Sequence, residues 1–407
     1  MRYSIRNEYR SRIVTRKYIH RLEYIDFRIS SIPPTPPTAF PWYDPFHDEG
    51  STNQASQENM IVGGNPLKCL DVDTLNILWV GDSNWSNPPV SDGEYIYTIG
   101  YNSNNKMATL DLYDYDGNKI VSYDIESFSY STVYRLILTY NRVIFVGNKI
   151  YFIDRETLVN QLNIVKELDK SNYENIILSD LDYIYILKSG YPKEIYKLDE
   201  DGNIVIQSTG ATSDYEDVHG IAINDNKIFY DRTLTEESIH ICSLDKNTLE
   251  SFGCVNLNKT PEMVDHIAYY NAHIYVSYRN YISDNVLEFR LCKINASDMS
   301  IEWDIVLIDP IVVITQFPNL AIGKDETIYY NTDEKTFAIN PDGSIKWKKS
   351  LGENLYPASY PVITPSNKLI VMACNQQHSE CQIMVLDADT GNIITSSANA
   401  MGNFIVI

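Results

Sequence analysis

Short apolar stretches alternate with polar turns along most of the chain, and one arrangement recurs. Each unit has an apolar residue, an Asp or Asn anchor, a polar turn and a return to apolar residues, as in LDADTGNII from Leu386. The anchors are Asp71, Asp114, Asp154, Asp199, Asp245, Asn295, Asn340 and Asp387. Their spacing of 40–50 residues is typical of a repeat fold.

The apolar stretches of each unit predict strands. They are short, rich in Ile, Val, Tyr and Leu, and bounded by turn residues such as Asp, Asn and Gly. A second apolar stretch, such as YIYTIG at 95–100, precedes each later anchor, and a third precedes several of those. Because no unit keeps a helical rhythm beyond about two turns, a helical solenoid is excluded. One unit is therefore predicted to be four short antiparallel strands.

A four-stranded sheet of this kind needs neighbours on both faces, which predicts a β-propeller. The first unit lacks its innermost strand, whereas GNFIVI at 402–407 is a surplus strand. We predict an all-β, eight-bladed propeller that is closed by this C-terminal strand joining the N-terminal blade, because that removes two exposed sheet edges. Seven blades is the alternative if the weakest unit, around Asp154, is a loop.

Residues 1–58 differ in composition and predict an extended N-terminal arm before a propeller domain at 59–407. Residues 1–30 hold eight Arg or Lys and three Asp or Glu, and six prolines within 33–45 favour an extended spacer. EYIDFRI at 23–29 alternates like a strand in part, although the region could equally form a helix. The predicted docking residues are Arg6, Arg10, Arg12, Arg16, Tyr18, Arg21, Trp42 and Tyr43; the alternative is a self-packed extension.

The overall charge of −21 excludes a general nucleic-acid surface. A basic arm on an acidic body can be held by its own propeller, by an acidic partner or by a neighbouring copy. No apolar run reaches the ~20 residues of a membrane span, and the charged opening residues do not resemble a secretory signal. The six cysteines are therefore expected to be buried, reduced thiols. Cys374 and Cys381 could instead form a bridge, or hold a metal with His378.

The units resemble those of the quinoprotein-like (PQQ-repeat) propellers, whose blades carry Asp, two residues, Thr-Gly and then Trp. LDADTGNII has the Asp and the Thr-Gly, and Trp79, Trp303 and Trp347 fall seven or eight residues after their anchors. The resemblance implies eight blades, with these three tryptophans packed between blades. The family's quinone enzymes use adjacent cysteines, a tryptophan floor and calcium. This sequence has no Cys-Cys pair, so we expect a non-catalytic member with no cofactor.

The sequence contains no hydrolase, phosphate-binding or dinucleotide motif, and its seven histidines form no metal-ligand pair. We therefore predict no catalytic, cofactor or metal site. The predicted function is a protein-interaction scaffold in a multi-subunit assembly, which includes copies of itself as partners. A virion or tail component of a tailed virus, assembled in the host cytoplasm, is the first choice, and a cytoplasmic protein is the alternative. A glycan- or receptor-binding propeller is the runner-up. An enzyme would place acidic residues on the inner strands around the central channel.

Overall fold

The computed structural model describes residues 60–63, 66–82, 89–129, 134–170, 173–179, 182–188, 194–208, 221–235, 238–257, 261–283, 286–307, 320–332, 334–359, 361–375, 380–398 and 404–406. Strands and turns make up these ranges, and no α-helix occurs within them. The all-β prediction is therefore confirmed for this part of the chain.

The strands of the described ranges form eight antiparallel sheets. The first three strands are Met60–Gly63 (β1), Lys68–Asp71 (β2) and Ile77–Val80 (β3). Sheet 1 contains Val90–Ser91 (β4), Ile96–Asn102 (β5), Met107–Tyr113 (β6) and Lys119–Ser127 (β7). Sheet 2 contains Arg135–Leu138 (β8), Arg142–Val146 (β9), Lys149–Asp154 (β10) and Ile164–Asp169 (β11). Sheet 3 contains Tyr173–Ser179 (β12), Tyr183–Lys188 (β13), Ile195–Asp199 (β14) and Ile204–Gln207 (β15).

The remaining strands continue the same pattern. Sheet 4 contains Ile221–Ile223 (β16), Lys227–Thr235 (β17), Ser238–Asp245 (β18) and Ser251–Asn256 (β19). Sheet 5 contains Pro261–Tyr270 (β20), His273–Ser283 (β21), Val286–Asn295 (β22) and Ile301–Val306 (β23). Sheet 6 contains Leu320–Ile322 (β24), Ile328–Asn331 (β25), Thr336–Ile339 (β26) and Ile345–Lys349 (β27). Sheet 7 contains Tyr356–Pro357 (β28), Val362–Ile363 (β29), Lys368–Cys374 (β30), Cys381–Asp387 (β31) and Ile393–Ser397 (β32).

The last strand, Phe404–Val406 (β33), pairs with β1 in antiparallel register, Ile61 opposite Val406 and Gly63 opposite Phe404. Sheet 8 therefore runs in the order β33-β1-β2-β3 and combines strands from both ends of the chain. The unit around Asp154, which the seven-blade alternative treats as a loop, forms the four strands of sheet 2.

The burial of the strands follows their position in the sheet. The first strands β8, β16 and β24 are buried at every residue, as expected for strands covered on both faces. The last strand of sheet 2, β11, instead alternates between half-buried and exposed residues. First strands of neighbouring sheets touch: β8 lies against β4, and β20 lies against β16 and β24. The sheets therefore turn their first strands inward and their last strands outward.

Consecutive sheets share a hydrophobic core, and sheet 8 shares one with both sheet 7 and sheet 1. Six of the seven clusters contain buried residues from the two sheets that meet, and the seventh joins sheets 2 and 3 with sheets 7 and 8. Examples in order from the 1–2 junction to the 8–1 junction are Leu110 with Phe145, Phe152 with Leu198, Tyr185 with Cys242, Phe229 with Val276, Leu291 with Tyr330, Tyr329 with Leu386, Val385 with Leu70, and Leu67 with Ile96.

The expectation of reduced thiols is wrong for four of the six cysteines. Cys242 and Cys254 lie opposite each other on β18 and β19 and form a disulfide. Cys374 and Cys381 do the same across β30 and β31, so they bridge a hairpin. The sequence argument missed the first pair because the register of two strands depends on the turn and the bulge between them. The two other cysteines, at 69 and 292, are buried free thiols.

Candidate functional site

The anchor residues are structural in every unit, because their side chains bind the turn that follows. Oδ1 of Asp387 accepts hydrogen bonds from the backbone N–H and the hydroxyl of Thr390, at 2.8 and 2.7 Å. Oδ1 of Asp71 accepts the corresponding bonds from Thr74. In each turn the hydrogen bond from the threonine hydroxyl lowers the pKa of the anchor carboxyl below its usual value, and the bond from the threonine N–H adds to that effect. Oδ1 of Asp114 and of Asp199 likewise accepts the backbone N–H of Asn118 and of Asn203, at 2.8 Å in each turn.

The three predicted tryptophans each reach the anchor turn of the following sheet. Each indole Nε1–H donates to a backbone carbonyl there: Trp79 to Tyr115 at 3.0 Å, Trp303 to Pro341 at 3.0 Å, and Trp347 to Ala388 at 2.9 Å.

Each indole also lies directly over the glycine of the turn that it contacts. Gly117, Gly343 and Gly391 have φ of +84°, +86° and +68°, and a Cβ on any of them would lie within 3.2 Å of the ring. Glycine is therefore required both by the backbone conformation and by the indole.

Junctions without a tryptophan use another donor for the same purpose. The ammonium groups of Lys166, Lys197 and Lys227 donate to the carbonyls of Gly202, Lys246 and Ala296, at 2.9, 3.3 and 2.9 Å. At the 1–2 junction the donor is the Tyr123 hydroxyl, which reaches the Leu158 carbonyl. At the 7–8 junction Lys368 forms a 2.6 Å ion pair with Asp73.

Sequence reasoning missed these donors because they do not share one position relative to the anchors. Lys166 lies on an outer strand, Lys197 on a third strand and Lys227 on a second strand. The one signal in the sequence is an isolated lysine within an otherwise apolar strand, as in IYKLD at 195–199. Such a lysine needs a polar partner for its ammonium group once the strand is buried.

The turns between first and second strands and between third and fourth strands lie at the same end of each sheet, which we call the turn end. Exposed carboxylates are frequent there, for example Asp116, Asp201, Asp342 and Asp389. Both ends of the propeller chain also reach the turn end, since Met60 pairs with the anchor Asp71 and Val406 pairs with Ile61. The basic N-terminal segment is thus attached at an acidic end of the sheets.

The first strands carry few polar groups among their described side chains. Asp265 on β20 is the one acidic residue, and it is fully buried against Arg279, with Nη2 at 2.6 Å and Nε at 2.8 Å from Oδ1. The hydroxyl of Ser277 on the adjacent strand is buried, and no described residue forms a hydrogen bond with it. A carboxylate already bound to a guanidinium is not the convergent acid cluster that the enzyme hypothesis predicts.

Within the described ranges, no group of His, Cys, Asp or Glu side chains could hold a metal ion. Burial raises the pKa of the free Cys69 thiol to about 12, and a nearby aspartate adds to that effect. None of the described residues forms a helix that could cross a membrane. The predicted docking residues Arg6, Arg10, Arg12, Arg16, Tyr18, Arg21, Trp42 and Tyr43 lie outside the described residues.

No known protein family matches the sequence, and no curated protein matches it. Several solved structures are similar in fold. BamB from Moraxella catarrhalis is 14% identical and matches 82% of this chain and 92% of its own, with a TM-score of 0.51. Apo AztD from Citrobacter koseri is 12% identical over 85% of this chain and 96% of its own, and the Dos1 propeller is 10% identical over 86% and 96%; both have a TM-score of 0.54. At such identities the likeness shows the fold alone, and the fold is a β-propeller.

Proposed function

We propose that the chain is a non-catalytic interaction propeller of eight blades, closed by β33 and attached to a larger assembly by residues 1–58. The observation that carries the proposal is the placement of the termini. Residues 1–58 precede Met60, which lies at the turn end on β1, the strand that pairs with β33. A segment attached there can bind a partner without disturbing the sheets.

The use of polar side chains supports binding rather than catalysis. The anchor carboxylates hold their own turns, the strand lysines hold the next turn, and Asp265 is bound to Arg279. These groups have structural partners, so the described inner strands retain little chemistry for a substrate. The blade-packing role that we assign to Trp79, Trp303 and Trp347 follows from their bonds across sheet junctions.

The disulfides bear on where the protein works. Two cross-strand disulfides are typical of proteins that are secreted or carried on a cell or particle surface, and they are rare in the cytosol. They favour a particle component over the cytoplasmic alternative. A virion or tail component is the narrower hypothesis, and cosedimentation of the chain with intact particles tests it.

The main experiment compares full-length protein with residues 59–407 in the native host. We expect the truncated chain to be folded and soluble, by circular dichroism and size-exclusion chromatography, and to be absent from the complex that contains the full chain. If truncation unfolds the body, residues 1–58 belong to the core and the docking proposal is wrong. If the truncated chain still joins the complex, the partner binds the propeller itself.

A charge variant separates the arm's basic residues from its length. Replacing Arg6, Arg10, Arg12, Arg16 and Arg21 by glutamine keeps the arm but removes its charge, so we expect weaker assembly that is less sensitive to salt. Trp42→Ala with Tyr43→Ala tests the apolar contribution. The matched control replaces the exposed Lys348 by glutamine on the outer strand β27, and we expect no effect on assembly.

One observation favours a glycan-binding role as a second candidate. The rings of Tyr101 and Phe128 lie 4.6 Å apart, half-buried at the end of sheet 1 opposite the turn end. Nearby, Asn102 and Asn105 donate to the exposed carboxylate of Asp124. Aromatic rings with a polar edge beside amides and a carboxylate suit a polyhydroxylated ligand. Saccharide-array binding that Tyr101→Ala and Phe128→Ala both abolish would support this role.

A further inference from the structure

The outer edge of sheet 8 lacks the protection that edge strands normally carry. β3 pairs with β2 on one side and is the last strand of its sheet. All four of its residues, ILWV, are apolar, and Leu78 and Val80 are 51% and 52% exposed. Natural edges usually carry charges or proline because an uncharged apolar edge pairs with other chains. The outer strands β7, β11, β23 and β27 do carry charged residues.

The position of the chain end selects β3 among the outer strands without charge. The outer strands β15, β19 and β32 also lack charge and expose apolar residues, for example Ile204, Phe252 and Ile394 at 54%, 60% and 54%. However, the segment that precedes the propeller enters at Met60 on β1, in the same sheet as β3. A fifth strand beside β3 would lie roughly 14 Å from β1, which is three strand spacings. Residues 30–59 reach about 30 Å even as a flexible coil, so the link spans this gap.

The N-terminal segment contains a stretch that fits such an edge. In EYIDFRI at 23–29, Ile25, Phe27 and Ile29 alternate with Tyr24, Asp26 and Arg28. One face of such a strand would be apolar, and that face suits Leu78 and Val80. Residues 1–30 as a whole are basic and the body is acidic, so the two attract each other, although residues 23–29 themselves hold two acids and one base. Addition of an extended segment to a sheet edge gains main-chain hydrogen bonds together with side-chain burial.

We propose that residues 23–29 add to the outer edge of β3 as a fifth strand of sheet 8 in the same chain. A covalent link of this length gives the segment a local concentration of about a millimolar, so at micromolar protein the intramolecular pairing is favoured about a thousandfold over pairing with another copy. The added strand would hold the C-terminal end of the basic segment against sheet 8. Residues Arg6–Arg21 would then extend from a fixed position at that sheet. The inference does not depend on the assembly proposed above.

Hydrogen exchange on the isolated full-length protein tests the pairing. We expect the amides of residues 23–29 to exchange at least about tenfold more slowly than in a synthetic peptide of residues 1–58, equally at low and high protein concentration. Leu78→Lys with Val80→Lys places charges on the edge, and we expect it to abolish the protection. Ile204→Lys with Val205→Lys makes the same change on β15 and should leave the protection intact. Circular dichroism confirms that both variants are folded.

Three results would overturn the proposal: no protection of residues 23–29, protection that survives the β3 substitutions, or protection that disappears on dilution. The last result would assign the strand to a neighbouring copy. A second measurement uses the chain without residues 1–30, which exposes β3. We expect this truncated protein to self-associate more than the full chain, and Leu78→Lys with Val80→Lys to reverse that increase. Equal self-association of the truncated and full chains would contradict the proposal.

Discussion

Replacement of Gly117 by alanine is expected to destabilise the junction between sheets 8 and 1. Gly117 has φ of +84°, and a Cβ built there would lie 2.5 Å from Cδ2 of Trp79. Alanine in this left-handed region costs about 1–2 kcal/mol, and displacement of the indole adds about 1–3 kcal/mol. The bond from Nε1 to the Tyr115 carbonyl contributes about 1 kcal/mol more. We expect the free energy of unfolding to fall by about 3–6 kcal/mol.

Two further glycines provide a matched series. Gly391 and Gly343 also have positive φ, but their Cβ atoms would lie 2.8 Å from Trp347 and 3.2 Å from Trp303. The cost of placing alanine at a positive φ is the same in the three variants. Differences in their loss of stability therefore report the steric clash between the new Cβ and the indole. We expect the loss of stability to decrease from Gly117→Ala to Gly391→Ala to Gly343→Ala, with the last close to the backbone cost of about 1–2 kcal/mol.

Urea unfolding followed by far-UV circular dichroism measures these losses without using tryptophan fluorescence. In a Trp79→Leu background the clash is removed, so Gly117→Ala should then cost only the backbone term, and the coupling energy should be about 2–4 kcal/mol. If Gly117→Ala costs the same with and without the indole, the contact between the two sheets does not contribute, and the reasoning about this junction is wrong.

The remaining predictions concern buried chemistry and pH. Reduction of the Cys242–Cys254 disulfide, which closes a loop of 12 residues, should cost about 3 kcal/mol; calorimetry should show a lower melting temperature with reductant, and the double serine variant should respond less, by the share that the remaining Cys374–Cys381 disulfide contributes. Arg279→Met should cost about 3–5 kcal/mol in urea unfolding because it leaves the Asp265 carboxylate buried without its partner, and a smaller loss in the Arg279→Met, Asp265→Leu double variant checks that cause. The lowered pKa of Asp387 means that the unfolded chain binds more protons in acid, so stability should be full above about pH 4 and fall as pH drops below it. Asp387→Asn should reduce that acid loss, and an unchanged acid slope would contradict it.

The strands and turns could be predicted because their signals are local. An anchor such as Asp387 binds its own turn, and the glycine that follows adopts a positive φ within the same few residues. The alternation of apolar stretches and turns therefore predicted an all-β chain, and the likeness to solved propellers agrees. The prediction of strands depends only on this alternation and on no residue pattern of the solved propellers.

The contacts between sheets could not be predicted in the same way, because they join residues far apart in the chain. The sequence distance between Lys197 and the carbonyl of Lys246 is one full repeat, and their contact depends on the packing of two sheets. Cys242 faces Cys254 only after a register shift between Ser243 and Leu244. Asp265 and Arg279 meet because β20 carries a bulge beside the aspartate. The first contact joins two sheets; the other two lie within one sheet, but each depends on a strand register with a bulge, which the residue pattern does not specify.

The variety of donors at the junctions also explains how the repeats can differ so much in sequence. A turn carbonyl accepts a hydrogen bond equally from an indole, an ammonium group or a hydroxyl, as Trp347, Lys227 and Tyr123 demonstrate at three junctions. Substitution among these donors preserves the sheet packing while it removes the residue pattern by which repeats are recognised. The side chains that satisfy the junctions are then unavailable to a partner. The turn end, the opposite loops and the outer edges of the sheets remain for recognition by a partner. Among them, the edge strand that exposes Leu78 and Val80 carries no charge, so its exposure requires an explanation.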